Sequence, residues 1–224
     1  MRVAVVIPAF QAAASIGDVV ARTQAAVPAA EIIVVDDGSD DGTGEEGRRR
    51  GATLVTHPRN RGKGVSLRAG VARACAHDAS VIVTIDADGQ HPPEEIPGLL
   101  RPIAEGDADL VLGARKRDGG MMPLSRRFTN WLSATLASRI GGQQVRDAQT
   151  GFRAFTRQVA EGVQAAGDRY EYEANFLLDA LRAGFRVVSV DVPTIYGARS
   201  HFHAWGDTWR MARAFGRHAR RIVR

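Results

Sequence analysis

Residues 83–93 read VTIDADGQHPP. An apolar, β-branched run ends in Asp86 and Asp88, one residue apart, followed by Gly89, Gln90, His91 and a proline pair. Successive strand side chains point to opposite faces, so the two aspartates project to the same side if strand geometry persists that far. Two carboxylates held together repel, and the arrangement is most stable with a cation between them. Hard oxygen donors of this kind favour Mg²⁺ or Mn²⁺. The competing reading makes the same aspartates caps of the turn before Pro92 and Pro93, since Asp favours turns.

Working outward, further apolar, β-branched runs occupy residues 3–7, 31–35, 53–56, 81–85, 109–113 and 187–192. Helix-like segments at residues 16–26, 64–76 and 94–104 lie between the earlier ones. This alternation predicts an α/β domain, a mostly parallel central sheet flanked by helices. In open sheets of this kind ligands bind outside the carboxyl ends of the strands. The unusual residues fall there: Pro8 to Phe10 after the first strand, Asp36 and Asp37 after the second, Asp86 to Gln90 after the fourth.

A chain of 224 residues can bury one substantial core. Cys75 is the only cysteine, so no disulfide framework is expected, and no Cys/His cluster has zinc spacing. No stretch reaches about 18 uninterrupted apolar residues, the minimum for an ordinary membrane-spanning helix. The net charge is +5, carried mainly by arginine, with lysine only at Lys63 and Lys116. Arginine suits phosphate contacts. Nucleic acid is not the expected partner, because few aromatics accompany the basic loop and the strand-end acids would repel phosphates.

Two further stretches carry chemistry. EIIVVDDGSDDGT, residues 31–43, places Asp36 and Asp37 at a strand end before a turn and a helix start near residues 40–43. Such acids can accept hydrogen bonds from a ribose or from base N–H groups. Capping explains Ser39 to Asp41 but not the adjacent pair. HPRNRGKG, residues 57–64, is a basic, glycine-containing loop ahead of a helix, suited to a phosphate or nucleotide through Lys63 and the helix N-terminus. Its spacing is not that of a Walker loop.

These pieces, in order, are IPAF, EIIVVDDGSDDGT, NRGKG, TIDADGQHPPE, ADLVLGAR, RRFTNWL, DAQTGFRAF, YEYEANFLL and VPTIY. Together they resemble the family 2 glycosyltransferases with a GT-A fold. The likeness is to the branch that includes dolichyl-phosphate mannose synthase and the bacterial polyprenyl-phosphate glycosyltransferases, and it covers nearly the whole chain. It implies an inverting transfer of a hexose from a nucleoside-diphosphate sugar to a polyprenyl phosphate.

The resemblance also implies roles. Asp86, Asp88 and Gln90 would hold Mg²⁺ or Mn²⁺ on the donor diphosphate. Pro8 and Phe10 would line the base pocket, with Asp37, and Asp36 beside it, on base or ribose. Lys63 and Ala87 belong to the same donor set. Arg115, and Arg126 or Arg127 in the next helix, would face the acceptor phosphate; Arg127 is taken into the candidate set. Arg199 would close over the donor diphosphate. Asp147, Thr150, Gly151 and Arg153 would shape the acceptor loop; the competing reading of Gly151 is that it simply supplies a permissive backbone. Asp147 would be the base if the acceptor were instead a saccharide or other hydroxyl. Many relatives carry Asn-Glu after the aromatic residue, where this chain has Gln11 and Ala12, so donor identity does not transfer.

Residues 170–184 have ordinary core spacing for a helix, and the acids at 171 and 173 receive no chemical role. Residues 1–203 are expected to form the catalytic domain and residues 204–224 a basic amphipathic helix. At 100° per residue, Arg210, Arg213, Arg217, Arg220, Arg221 and Arg224 fall within an arc of about 100°. Trp205, Trp209, Phe215, Ile222 and Val223 occupy the other side. That pattern suits an anionic membrane surface, and the expected location is peripheral, at the cytoplasmic face. The same face would also pack on protein.

Overall fold

In β1 (Val3–Ala9), β2 (Glu31–Asp36) and β4 (Val81–Thr84), nearly every side chain is buried, polar and apolar positions alike. A strand covered on both faces has this character, and its sequence is a continuous apolar run rather than an alternation. Alternate residues enter different cores. Val6, Ile33, Val35 and Ile82 pack with Leu67, Phe176 and Leu177 on one face. Val5, Ile7, Val34 and Val83 pack with Ile16, Val20 and Leu99 on the other.

The structure is a computed structural model that describes residues 1–115 and 124–193; the side chains of 124–129, 131 and 132 are likewise outside the description. Between the strands named above lie α1 (Ala13–Ala26), α2 (Thr43–Arg49), β3 (Thr53–Thr56) and α3 (Lys63–Ala76). Then follow α4 (Ile96–Ala104), β5 (Leu110–Arg115), α5 (Leu124–Gly141), β6 (Arg153–Thr156), α6 (Arg157–Gly162), α7 (Glu171–Arg182) and β7 (Val187–Val192). A 3-10 turn at Pro93–Glu95 leads into α4. The described strands form one sheet of order β3-β2-β1-β4-β6-β5-β7.

The sheet is parallel as expected except at β6, which runs antiparallel between β4 and β5. The other six strands coincide with the apolar runs of the sequence, and this one does not. Its four residues begin with an arginine, which on composition alone belongs in a loop. The reversal matters for function. Arg153 pairs with Thr84 and Leu112, at or near the carboxyl ends of β4 and β5, so the preceding residues 147–152 arrive at the same end of the sheet as Asp86 and Asp88.

No helix among the described residues is long and apolar enough to cross a membrane. The proposed C-terminal helix, with Arg199 ahead of it, lies outside the described residues.

Candidate active site

β4 ends at Thr84, so Asp86 and Asp88 stand on the loop after the strand rather than on the strand. The turn reading of Asp88 is realised in part: its Oδ1 accepts the Gln90 backbone N–H at 3.0 Å. Ser15 on α1 steadies the loop from below, its hydroxyl donating to the Ala87 carbonyl at 2.7 Å.

Electrostatics shows a strained anionic pair. Burial raises the Asp88 carboxyl above its ordinary value, and the charge of Asp86 raises it further. Burial opposes ionisation of Asp86 too, but there the Lys63 ammonium prevails and holds the carboxyl low. Lys63 Nζ lies 2.7 Å from Asp86 Oδ1 and 3.0 Å from Glu173 Oε1. It also sits 5.5 Å from the centre of the Tyr170 ring. Burial works against the Lys63 charge, and the two carboxylates more than offset it, so the ammonium is retained. Glu173 is raised by its own burial, with Asp86 contributing.

Lys63 is the first residue of α3, where the helix dipole disfavours a cation. Asp86 and Glu173 make the placement stable. Glu173 has no chemical role legible in the sequence; only the docking of α7 against α3 brings it to Lys63. Gly151 completes this corner. Its backbone is not left-handed, which corrects the expectation of a permissive conformation. It is glycine for space: a Cβ would lie 2.8 Å from Asp86 Oδ2 and 2.9 Å from Glu173 Oε1.

The donor-side aspartates divide their work. Asp37 is buried, and its carboxylate accepts the backbone N–H of Arg61 at 3.0 Å and of Gly62 at 2.8 Å, and meets His57 Nδ1 at 2.7 Å. It thereby ties the basic loop to the end of β2. Gly62 itself has φ +101°, a conformation glycine adopts without cost. Asp36 accepts the Ser39 N–H at 3.0 Å and caps the turn. Ser39 and Thr43 then cap α1, accepting from the backbone N–H groups of Gln11 and Ala12, while Asp41 serves both helix starts, accepting from Ala13 and from Thr43. Gln11 is left-handed at φ 51° and donates through Nε2 to Asp40 Oδ1. Phe10 is 37% exposed, beside the largely buried Pro8. An apolar ring left open at the end of β1 is available for stacking on a planar base.

On the opposite wall, Arg115 at the end of β5 makes a two-pronged contact with Asp147, Nε to Oδ2 at 2.7 Å and the second nitrogen to Oδ1 at 3.2 Å. Asp147 is buried and also accepts the Gln149 N–H at 3.1 Å. Arg153 is buried and donates to the carbonyls of Thr150, Glu173 and Ala148 at 2.8, 2.7 and 3.2 Å. His91 is also buried, with its ring against Phe152 and burial lowering its pKa. Arg126 and Arg127 lie on α5 with side chains outside the described residues, as does all of Arg199. An apolar groove lined by Met1, Val3, Val27, Pro28 and Leu100 opens where β1 begins, at the other end of the sheet.

The donor set fits a divalent cation. Asp86 and Asp88 are hard oxygen ligands whose mutual repulsion already raises one of them, and an ammonium already lies against the other. Among the described residues no three His, Cys, Asp or Glu side chains gather into a closed metal cage. An open shell suits Mg²⁺, which is commonly held by one or two carboxylates together with substrate phosphates.

A GT-A architecture is what this sheet defines, with paired aspartates after the central strand and Phe10, Asp36 and Asp37 at the ends of the first two. The chain belongs to glycosyl transferase family 2, whose profile it matches over residues 4–163. It is 31% identical over 205 residues to the undecaprenyl-phosphate mannosyltransferase of Micrococcus luteus, covering 86% of this chain and 83% of that one. It is 32% identical over 203 residues to the polyprenol monophosphomannose synthase of Mycolicibacterium smegmatis, covering 85% and 76%. The fold matches glucosyl-3-phosphoglycerate synthase of Mycobacterium tuberculosis with TM-score 0.79 at 23% identity, over 97% of this chain and 79% of that one. That structure was solved with Mn²⁺, UDP and glucosyl-3-phosphoglycerate.

Proposed function

We propose that the protein is a metal-dependent, inverting hexosyltransferase that moves a sugar from a nucleoside diphosphate to a polyprenyl phosphate. The observation that carries the acceptor class is the Arg115–Asp147 pair. Asp147 has both oxygens engaged, by the Arg115 guanidinium and the Gln149 N–H, so it is a brace for the arginine rather than an available base. A hydroxyl acceptor needs a base to take its proton. A phosphate needs none: a phosphomonoester with a second pKa near ~6 is already an anionic nucleophile at neutral pH. The relatives named for polyprenyl-phosphate substrates support the same choice.

In the reaction an acceptor phosphate oxygen bonds to the anomeric carbon as the bond from that carbon to the diphosphate oxygen breaks. The electron pair leaves with the nucleoside diphosphate, and one displacement inverts the configuration. Asp86, Asp88 and Gln90 would hold Mg²⁺ or Mn²⁺, which supplies Lewis-acid stabilisation of the leaving diphosphate when bound. Lys63 adds a second positive charge on that side, fixed by Glu173. Phe10 and Pro8 take the base, and Asp37 keeps the loop that carries Lys63 in register. Arg115 orients the incoming phosphate, with Arg127 its candidate partner and Arg199 the candidate closing residue. Most of the rate comes from positioning and preorganised charge.

The test is direct. Pure protein, a panel of nucleotide sugars, Mg²⁺ or Mn²⁺ and a short polyprenyl phosphate should give a glycolipid by mass spectrometry. Product on a saccharide but not on the lipid phosphate would favour the hydroxyl-acceptor reading. Arg115→Ala should lower kcat/KM for the lipid phosphate by about 10²-fold while nucleotide binding is retained. An equal loss of donor affinity would remove Arg115 from the acceptor wall.

Residues 204–224 would bring the catalytic domain to the membrane surface as a basic interfacial helix. The full chain is therefore expected to co-sediment with anionic liposomes, less so as salt rises, and a chain truncated at His203 is not. Equal binding by both, or by neither, would remove the segment as the anchor.

A further inference from the structure

His91 follows the Asp86–Gln90 loop and is 6% exposed, yet its Nδ1 has no hydrogen-bond partner among the described residues. A buried polar atom left unmet costs about 1–3 kcal/mol, and most such atoms in folded proteins find a partner. The ring itself is well held. It lies 5.4 Å from the Phe152 ring at 32°, and Phe152 is fully buried. Its charged neighbours come from both walls of the site: Asp86 and Lys63 from the donor side, Arg115 and Asp147 from the acceptor side. The carboxylates among them already have partners in Lys63 and Arg115. A buried polar atom with charged groups of both walls around it, and no partner among the described residues, is left for a ligand oxygen.

We propose that His91 contacts substrate, its Nδ1–H donating a hydrogen bond to a phosphoryl oxygen held between Lys63 and Arg115. This rests on the transfer reaction proposed above and deepens it. A neutral imidazole has one donor and one acceptor nitrogen, so it supplies a directed N–H without adding charge to a crowded electrostatic site. The phosphoryl oxygen has two sources, the donor diphosphate and the acceptor phosphate. The stacking on Phe152 sets the ring plane, and Pro92 and Pro93 restrict the backbone that follows.

The experiment compares three substitutions in the full chain. His91→Leu keeps an apolar contact with Phe152 and removes the donor. His91→Asn places an amide nitrogen close to the position of Nδ1, and His91→Gln places one closer to Nε2. His91→Leu is expected to lower kcat/KM by about 10²-fold, the usual effect of losing one preorganised donor. His91→Asn should restore most of that loss and His91→Gln should not, with thermal midpoints of Asn and Gln variants alike. Calorimetry with Mn²⁺ and the nucleoside diphosphate assigns the source. Weakened binding in His91→Leu places the oxygen on the donor, whereas unchanged binding with a raised KM for lipid phosphate places it on the acceptor. Wild-type kinetics in His91→Leu, or equal activities of the Asn and Gln variants, would overturn the proposal. A wild-type protein that binds the metal nucleotide but transfers nothing to lipid phosphate defeats the acceptor reading instead, and the calorimetric comparison still tests His91 against the donor.

Discussion

Asp88→Ala is expected to lower turnover by about 10³-fold or more, and EDTA should do the same to the unaltered protein. Burial raises the Asp88 carboxyl and the charge of Asp86 raises it further, a cost the fold bears at the carboxyl end of its central strand. Lys63 relieves Asp86, at 2.7 Å, but it also serves Glu173 and supplies only one positive charge. Negative charge on a departing nucleoside diphosphate needs more than this ammonium. Initial rates across a metal titration, with calorimetric nucleotide binding alongside, measure the effect. Full activity in EDTA would remove the metal from the reaction and leave Lys63 as the main electrophile. Asp88→Asn should resemble Asp88→Ala more than wild type, since it keeps the shape but not the charge.

Arg153→Met is expected to destabilise the protein by about 3–5 kcal/mol, the range seen when one member of a buried, hydrogen-bonded charge network is removed. Arg153 is 2% exposed and its guanidinium serves three carbonyls, those of Ala148 and Thr150 in the loop and that of Glu173 on α7. Methionine fills much of the space but removes the donor from all three carbonyls, of which only that of Glu173 lies inside a helix with its own backbone partner. Burial lowers the arginine pKa, and Glu173, Asp147 and Asp86 counter it, so the same substitution also removes a positive charge that these three carboxylates share. For a chain of this size such a loss corresponds to a fall of about 10 °C in thermal midpoint. Arg153→Lys should recover little, because a single ammonium cannot span three carbonyls set around a planar fork. An unchanged midpoint in Arg153→Met would show that the loop is held by something else.

These two residues mark the boundary of what could be read from the chain. Asp88 was legible because its signal is local: a buried strand, a turn and two acids at fixed spacing. Arg153 was legible as a member of a motif but not as a structural residue, since an arginine opening a four-residue strand looks like loop. His91 and Glu173 were present in the quoted strings and carried no signal of their own. A histidine before two prolines and a glutamate in a helical first turn both have ordinary local explanations. Ser39 and Asp41 likewise read as caps of the helix they precede; Ser39 caps α1 instead, and Asp41 accepts from the starts of both helices.

The sequence by itself determined the parallel half of the sheet, the paired aspartates after its central strand, the basic loop ahead of α3 and the apolar core spacing of α7. Each rests on periodicity or on a short-range turn, and such signals survive without knowledge of neighbours. Only the tertiary structure decided which charges meet. The antiparallel insertion of β6 carries residues 147–152 to the same end of the sheet as Asp86. Packing of α7 on α3 sets Glu173 against Lys63, and β5 presents Arg115 to Asp147. Contacts between residues so distant along the chain follow from strand order and helix docking, and it is there, not in any one motif, that a set of side chains becomes a site.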